Sequence, residues 1–190
     1  MKEEIADKRS ATLKAALELI SEQGFHATPM SQIAKRANVS IGIIYHYFSG
    51  KDELLNELYI DIKTNLSRNI LQNYNAEMPV RKAFKLMMGG LVRYSLQNPS
   101  EISFAEQYEN SPLITGETKE KIHKMTAPIK ELFQRAAEED LLKDLPYEIL
   151  YTLIQGALIS LVKFYLNGKI PLDEAALDAE LDAIWDMIKK

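Results

Sequence analysis

The chain has 190 residues, of which 46% are apolar and 26% charged, the balance of a globular protein with one sizeable core or a small module joined to a larger one. It contains no cysteine, which excludes disulfides and thiolate metal sites and suits a reducing compartment. The net charge of −4 is unevenly spread: residues 1–50 hold six basic and five acidic side chains (+1), and residues 51–190 hold 17 and 22 (−5). An N-terminal part that is slightly basic can contact nucleic acid although the whole chain is acidic. The opening MKEEIADKRSATLKAALELI lacks a long apolar run followed by a cleavage site. The most continuous apolar stretch, Ala157 to Val162, is too short to span a bilayer. A cytoplasmic protein without a membrane partner is expected.

Apolar periodicity is helical along the whole chain, and no strand signal competes with it. The spacing of Leu13, Ala16, Leu17 and Ile20 predicts a first helix over about 5–23, stopped by Gly24. Two short helices follow over 29–37 and 41–48. A long amphipathic helix starts near Lys51, with Leu54, Leu55, Leu58, Tyr59, Ile62, Leu66 and Ile70 on one face. Pro79 opens a helix to Gln97, and Pro99 a shorter one to Tyr108. After a break at Asn110–Leu113, a helix runs from about Gly116 to Glu139, with Pro128 expected to kink or divide it. A strongly apolar helix covers Pro146 to Leu166, and the last begins near Pro171 or Leu172. The expected fold is all-α with about nine helices: a three-helix domain over 1–50 and a larger helical domain over 51–190.

The segment 28–48 carries the most specific information. Thr28 can cap a helix whose first residue, Pro29, has φ preset and needs no amide donor. Ile33, Ala34 and Ala37 provide a small apolar face that a second helix can cross closely. In the turn, Asn38 tolerates the left-handed conformation, Val39 can plug the core, and Ser40 can cap the next helix. Ile44 and Phe48, four apart, face the core with Tyr45 partly beside them. Ile41, Gly42, Ile43, His46 and Tyr47 lie outward near the helix N-terminus, where phosphate is attracted. Gly42 would let the backbone approach DNA closely, and hydroxyl and imidazole groups can donate to phosphate.

Gly24-Phe25-His-Ala-Thr28, then Ile33-Ala34-Lys-Arg-Ala37-Asn-Val39-Ser40-Ile-Gly42-Ile-Ile-Tyr45-His-Tyr47-Phe48, then Lys51-Asp-Glu53-Leu54-Leu55, closely resembles the N-terminal pattern of the TetR family in order and spacing. The match covers about residues 9–60. By motif position the resemblance implies DNA contacts from Met30 (through its backbone), Ser31, Ser40, Ile41, Gly42, Ile43, Tyr45, His46, Tyr47 and Lys51. Ile41 and Ile43 stand where the family often has polar readers; they cannot donate to base edges but can contact thymine methyl groups. Asn38 replaces a commoner glycine, and Gly50 a commoner serine cap.

The resemblance further implies a regulator, most often a repressor, that binds a palindromic operator in double-stranded DNA as a homodimer through its last two helices. A small-molecule effector, partly apolar, would release it from DNA. Met87, Met88, Leu91, Tyr94, Phe104, Tyr108, Met125 and Phe164 are candidate lining residues of the effector pocket. They would equally serve as core. No cofactor is expected, and no metal site. An enzyme is not expected either: nucleophile motifs and phosphate-binding glycine loops are lacking, and His26, His46 and His123 are scattered. The alternative is a helical ligand-binding or adaptor protein that no longer binds DNA specifically; Gly42, Tyr47 and Lys51 count against it.

Overall fold

The computed structural model describes residues 2–168 and 171–190. Among these residues there are nine α-helices: α1 (Lys2–Gln23), α2 (Met30–Arg36), α3 (Ile41–Tyr47), α4 (Lys51–Ile70), α5 (Val80–Gln97), α6 (Pro99–Tyr108), α7 (Gly116–Glu138), α8 (Tyr147–Gly168) and α9 (Glu174–Ile188). The all-α architecture expected from the periodicity is the one found. Two compact units divide the chain: one holds residues 1–64 and 99–122, the other 65–98 and 123–190.

In the first unit, α1 packs on α2, α3 and α6. Its core joins Leu13, Ala16 and Ile20 of α1 to Ile33, Ala34, Ile44 and Phe48, and to Leu54, Leu58 and Ile62 of α4. Phe104 and Tyr108 of α6 complete it with Phe25 and Tyr59, their rings 5.3–5.9 Å apart. α1 ends where the sequence places its stop: Gly24 adopts φ 81° and its N–H returns to the Ile20 carbonyl at 2.8 Å.

Asn56, on the buried side of α4, is a polar hub in this core. Its Nδ2 donates to the carbonyls of Asp52 (2.8 Å) and Leu113 (2.9 Å), while its Oδ1 accepts from Thr115 N–H (3.2 Å) and Thr118 Oγ1 (2.8 Å). Thr115 in turn caps α7 by accepting from Thr118 N–H. Every hydrogen-bonding position of a buried amide is thereby used, which is how such a group avoids its desolvation cost.

In the second unit, α5 packs against α8 and α9. Phe84, Met87, Met88 and Val92 meet Leu150, Ile154, Leu158 and Val162 of α8 and Leu177, Leu181 and Trp185 of α9. A ladder of ion pairs covers the α5–α9 seam: Arg81–Asp182, Lys85–Asp178 and Asp182, and Arg93–Glu174. Tyr165 of α8 donates its hydroxyl to Glu180 of α9 at 2.9 Å.

Two helices differ from what the periodicity predicts. α7 continues through Pro128 as one helix, rather than being divided there. Ser67 Oγ donates to the Met125 carbonyl at 3.1 Å, in the turn where a proline ring crowds the backbone. The last helix starts at Glu174, later than Pro171 or Leu172, because the Asp173 carboxylate accepts from Ala175 N–H and fixes the cap there. Gly90 of α5 has backbone for a neighbour: a Cβ there would lie 3.1 Å from the Asn69 carbonyl and 3.2 Å from Ile70 Cα.

Candidate nucleic-acid interface

α2 and α3 form a helix-turn-helix whose corner is closed by local hydrogen bonds. Asn38 takes φ 54°, the left-handed conformation. Val39 N–H bonds back to the Ala34 carbonyl (3.0 Å) and Asn38 N–H to the Lys35 carbonyl (3.3 Å), the paired closure of a Schellman turn. Val39 packs half-buried on the core. Ser40 begins α3 as its cap, its hydroxyl accepting from Ile43 N–H at 3.3 Å. The reading of this turn from sequence holds at each of its three positions.

Thr28 does not cap α2 as its position suggested. It is fully buried, and its hydroxyl donates to the Gly24 carbonyl at 2.8 Å; Pro29, in extended conformation, stands at the cap. A hydroxyl four residues after an open carbonyl has a competing local partner, and here it closes the α1–α2 turn. Gln23 supports the same turn by donating to the Ala27 carbonyl (2.7 Å) and to Gln32 (2.8 Å).

α3 buries Ile44, with Phe48 beyond it, and turns most of its other side chains outward. Ile41 is 42% exposed and Tyr45 54% exposed; Ser40, Gly42 and His46 are also exposed. Tyr45 therefore faces solvent instead of sitting beside the core, and Tyr47 is the ring that half-buries against it, edge-on to His46 at 5.2 Å. Ile43 is half-buried. On α2, Ser31 is exposed and Met30 packs partly on the core. A Cβ at Gly42 would meet only Ser40 Oγ, at 3.9 Å, so packing within the chain does not require a glycine there.

The basic groups around this surface are mostly engaged. Arg36 makes two parallel 2.9 Å bonds to Glu22 and a longer one to Glu18. The fork holds the Glu22 carboxyl below the usual carboxylate range, chiefly through its hydrogen bonds. Arg9 pairs with Glu57 and lies over the Phe48 ring. Lys51 is half-buried with its ammonium on the Phe25 carbonyl, which ties the start of α4 to the α1–α2 turn. Gly50 has no side chain to cap α4, and Glu53 compensates by reaching back to Ser49 N–H at 2.6 Å. Hydrogen bonding from the Ser49 hydroxyl, and then from its N–H, lowers the Glu53 pKa. The carboxylate partners of Arg36 and Arg9 do not announce themselves in the sequence, because each pairing joins residues on different helices.

The eight residues named for an effector pocket fall in different places. Met87 and Met88 are fully packed in the second unit's core, Leu91 is half-buried beside them, and Tyr94 is buried. Phe104 and Tyr108 belong to the aromatic core of the first unit. The buried Tyr108 phenol is pushed up to about 12 by desolvation, with the nearby Asp52 charge adding to it. Met125 is half-buried and Phe164 is 56% exposed. Two hollows in the second unit are lined by other residues. One of about 310 Å³ lies among Phe133, Tyr147, Lys130 and Lys143; a shallower one of about 750 Å³ lies among Leu86, Lys82, Lys85 and Leu177. Among the described residues no group of three or more His, Asp or Glu is placed to hold a metal ion.

A fold with this corner and this exposed second helix defines a helix-turn-helix DNA-binding protein. Residues 13–58 match the family of bacterial regulatory proteins of the tetR type, and residues 79–189 match the tetracyclin repressor-like C-terminal domain. The chain belongs to the TetR family of transcriptional regulators. An uncharacterised HTH-type transcriptional regulator of Haemophilus influenzae is 25% identical over the full length of both chains. The regulator HbdR of an Aromatoleum species is 39% identical over 75 residues, a match covering 40% of this chain and 29% of that protein. Among solved structures, a TetR family protein from Vibrio parahaemolyticus is 31% identical with a TM-score of 0.81, covering 96% of this chain and 99% of that one. A TetR family regulator from Marinobacter aquaeolei is 22% identical with a TM-score of 0.92 over the whole of both chains, a likeness of fold. The relatives carry names of transcriptional regulators, not of enzymes.

Proposed function

We propose that this regulator is a repressor that binds a two-fold symmetric operator as a homodimer and leaves it when a small molecule occupies its C-terminal domain. Residues 1–50 would read DNA, and residues 51–190 would hold the effector and the dimer contact. The observation that carries the reading is the outward face of α3: Ile41 and Tyr45 exposed, His46 beside them, and Gly42 without a packing reason to be glycine. Large apolar side chains on a short exposed helix suit the floor of a major groove, where thymine methyl groups are met by apolar contact. Ser31, Ser40 and Tyr47 supply hydroxyls for the backbone, with Met30 through its N–H, Ile43 beside the bases and Lys51 at the edge.

The dimer reading is supported by α8 and α9. α8 is long and apolar enough, by length and composition, to cross a membrane, yet one of its faces is the core of the second unit. Its other face, with Ile149, Leu153 and Phe164 exposed, is the kind of surface a second protomer covers. A dimer matches the symmetry of a palindromic site, and a ligand that alters the spacing of its two recognition helices weakens the fit. The effector would be partly apolar, taken up in the second unit where Met87, Met88, Leu91 and Tyr94 can part. The place of action is the cytoplasm.

Selection of bound duplexes from a random pool, followed by a salt titration of the selected site against random DNA, tests the reading. A palindromic consensus with affinity at least about 10³ above random DNA is expected. Binding no tighter than to random sequence would refute it, and would favour a helical protein whose specific DNA reading has been lost.

A further inference from the structure

We propose that the hollow between the end of α7 and the start of α8 is a second small-molecule site, separate from the effector's, and that it takes a free α-amino acid with an aromatic side chain. The hollow, of about 310 Å³, lies wholly within the second unit and includes none of Met87, Met88, Leu91 and Tyr94. That volume stands at the small end of the range for ligand pockets. Its apolar part is largely aromatic. Phe133 and Leu150 are buried beneath it, and Tyr147 is half-buried with its ring edge-on to Phe133 at 5.6 Å. Tyr147 also stacks on Tyr151 at 5.7 Å, which fixes its orientation. A further ring can pack on this group in the tilted or offset geometry that aromatic side chains favour.

The rim supplies charges of both signs. The connection from α7 to α8 is clamped to the end of α9: Lys143 N–H donates to the Ile188 carbonyl at 2.9 Å, and Lys190 N–H to the Leu141 carbonyl at 3.0 Å. The clamp sets Lys143 and Lys190 at the rim. Lys190 is spent on Asp140. The Lys143 ammonium rests on the Met187 carbonyl at 2.6 Å, a neutral partner that leaves its charge uncompensated. Lys130 of α7 makes no ion pair among the described residues, nor do Asp144 and Glu148, just before and within the first turn of α8. The rim therefore keeps two cations, Lys130 and Lys143, and two anions, Asp144 and Glu148, all lining one hollow. A simple anion or a simple cation would meet like charge there, whereas a zwitterion finds both partners. An α-amino acid carries carboxylate and ammonium on one carbon. Its carboxylate would turn to the lysines, its ammonium to the acids, and an aromatic side chain would lie against Phe133 and Tyr147.

Isothermal titration calorimetry of the full chain tests this with four probes: L-phenylalanine, 3-phenylpropanoate without the ammonium, 2-phenylethylamine without the carboxylate, and glycine without the ring. L-Phenylalanine should saturate one site per chain, and each of the other three should bind at least about fivefold more weakly. Two variants locate the site. Lys130→Gln should weaken L-phenylalanine and 3-phenylpropanoate by roughly two- to fivefold and leave 2-phenylethylamine unchanged. Glu148→Gln should weaken L-phenylalanine and 2-phenylethylamine by as much and leave 3-phenylpropanoate unchanged. Both side chains are exposed, so the variants should melt as the parent does. L-Phenylalanine bound equally well by parent and both variants lies elsewhere in the chain, which overturns this site and leaves the regulator reading intact. Binding of 3-phenylpropanoate, 2-phenylethylamine or glycine as tightly as L-phenylalanine overturns the ligand class. No saturable binding of L-phenylalanine at millimolar concentration overturns the inference as a whole.

Discussion

Arg36 and Glu22 meet fork to fork, Nη1 on Oε1 and Nη2 on Oε2, both at 2.9 Å. The guanidinium stands at the end of α2, and the pair spends its charge on holding α2 to α1. A helix-turn-helix domain of net charge +1 thus keeps one of its few cations for internal use.

Glu22→Gln should release part of that charge. Binding to random DNA is expected to tighten, and the slope of log affinity against log salt to steepen by up to about one. Fluorescence anisotropy over a salt series measures both. An unchanged slope would mean that Arg36 stays out of reach of phosphate even when unpaired.

Gly42→Ala separates DNA approach from folding. A Cβ has room at this position, and alanine in a helix is favoured over glycine by about 0.5–1 kcal/mol, so the melting temperature should hold or rise. Operator affinity should nevertheless fall by roughly tenfold or more, the value of one good contact. Equal affinity in the variant would show that α3 does not approach DNA at this residue.

Ile41 and Ile43 make a prediction about bases. If they read thymine methyl groups, replacing the contacted thymine by uracil in the selected site removes one methyl from apolar contact. The cost is about 0.8 kcal/mol, roughly fourfold in affinity. The same replacement should make no difference to an Ile41→Ala, Ile43→Ala double variant, which binding competition between the two duplexes will report.

Asn56→Ala removes both donors and the acceptor of the buried hub and leaves the Leu113 carbonyl and Thr118 hydroxyl without it. A loss of roughly 2–3 kcal/mol is expected, seen as a fall of about 5–10 °C in melting temperature. Asn56→Asp tests the polarity of the hub: it keeps the acceptor but turns a second oxygen toward two carbonyls, and should also lose stability at neutral pH.

The α5–α9 ladder predicts a pH dependence. Hydrogen bonds from Lys85 and Arg81 lower the Asp182 pKa below its usual 3.8, and Arg93 lowers that of Glu174 below 4.5. Carboxyls held low in the folded state add stability that is fully present above their unfolded pKa and is lost as pH falls through the folded one. The ladder is largely exposed, so the effect should be modest. Melting temperature should be level from neutrality to about pH 5 and decline below about 4.5; Glu174→Gln should make the decline shallower.

The elements legible in the sequence were those specified within a few residues. Gly24 stops α1, and Asn38, Val39 and Ser40 build the corner, because each acts on backbone groups next to it. Where two local rules competed, reading was less secure. Thr28 had both a cap position and a carbonyl four residues back, and the carbonyl won. Pro128 disfavours a continuous helix locally, yet α7 runs through it. On the seven residues of α3, Tyr45 and Tyr47 exchanged their expected exposure, since so short a helix defines its face only through what packs on it. The Asn56 hub had little local signal, because three of its four partners lie more than fifty residues away in the chain.

The aromatic wall behind the α1–α2 turn also sets an order of events during synthesis. Phe25 and Tyr59 pack against Phe104 and Tyr108, which follow them by more than forty residues. A ribosome that has released residues 1–64 has produced the helix-turn-helix but not the rings that close its back. Until α6 emerges, that apolar patch is open to chaperones or to another nascent chain. Truncation after α4 would make this transient state permanent, so an isolated reading head should be made by linking α6 back to α4 instead of by cutting the chain.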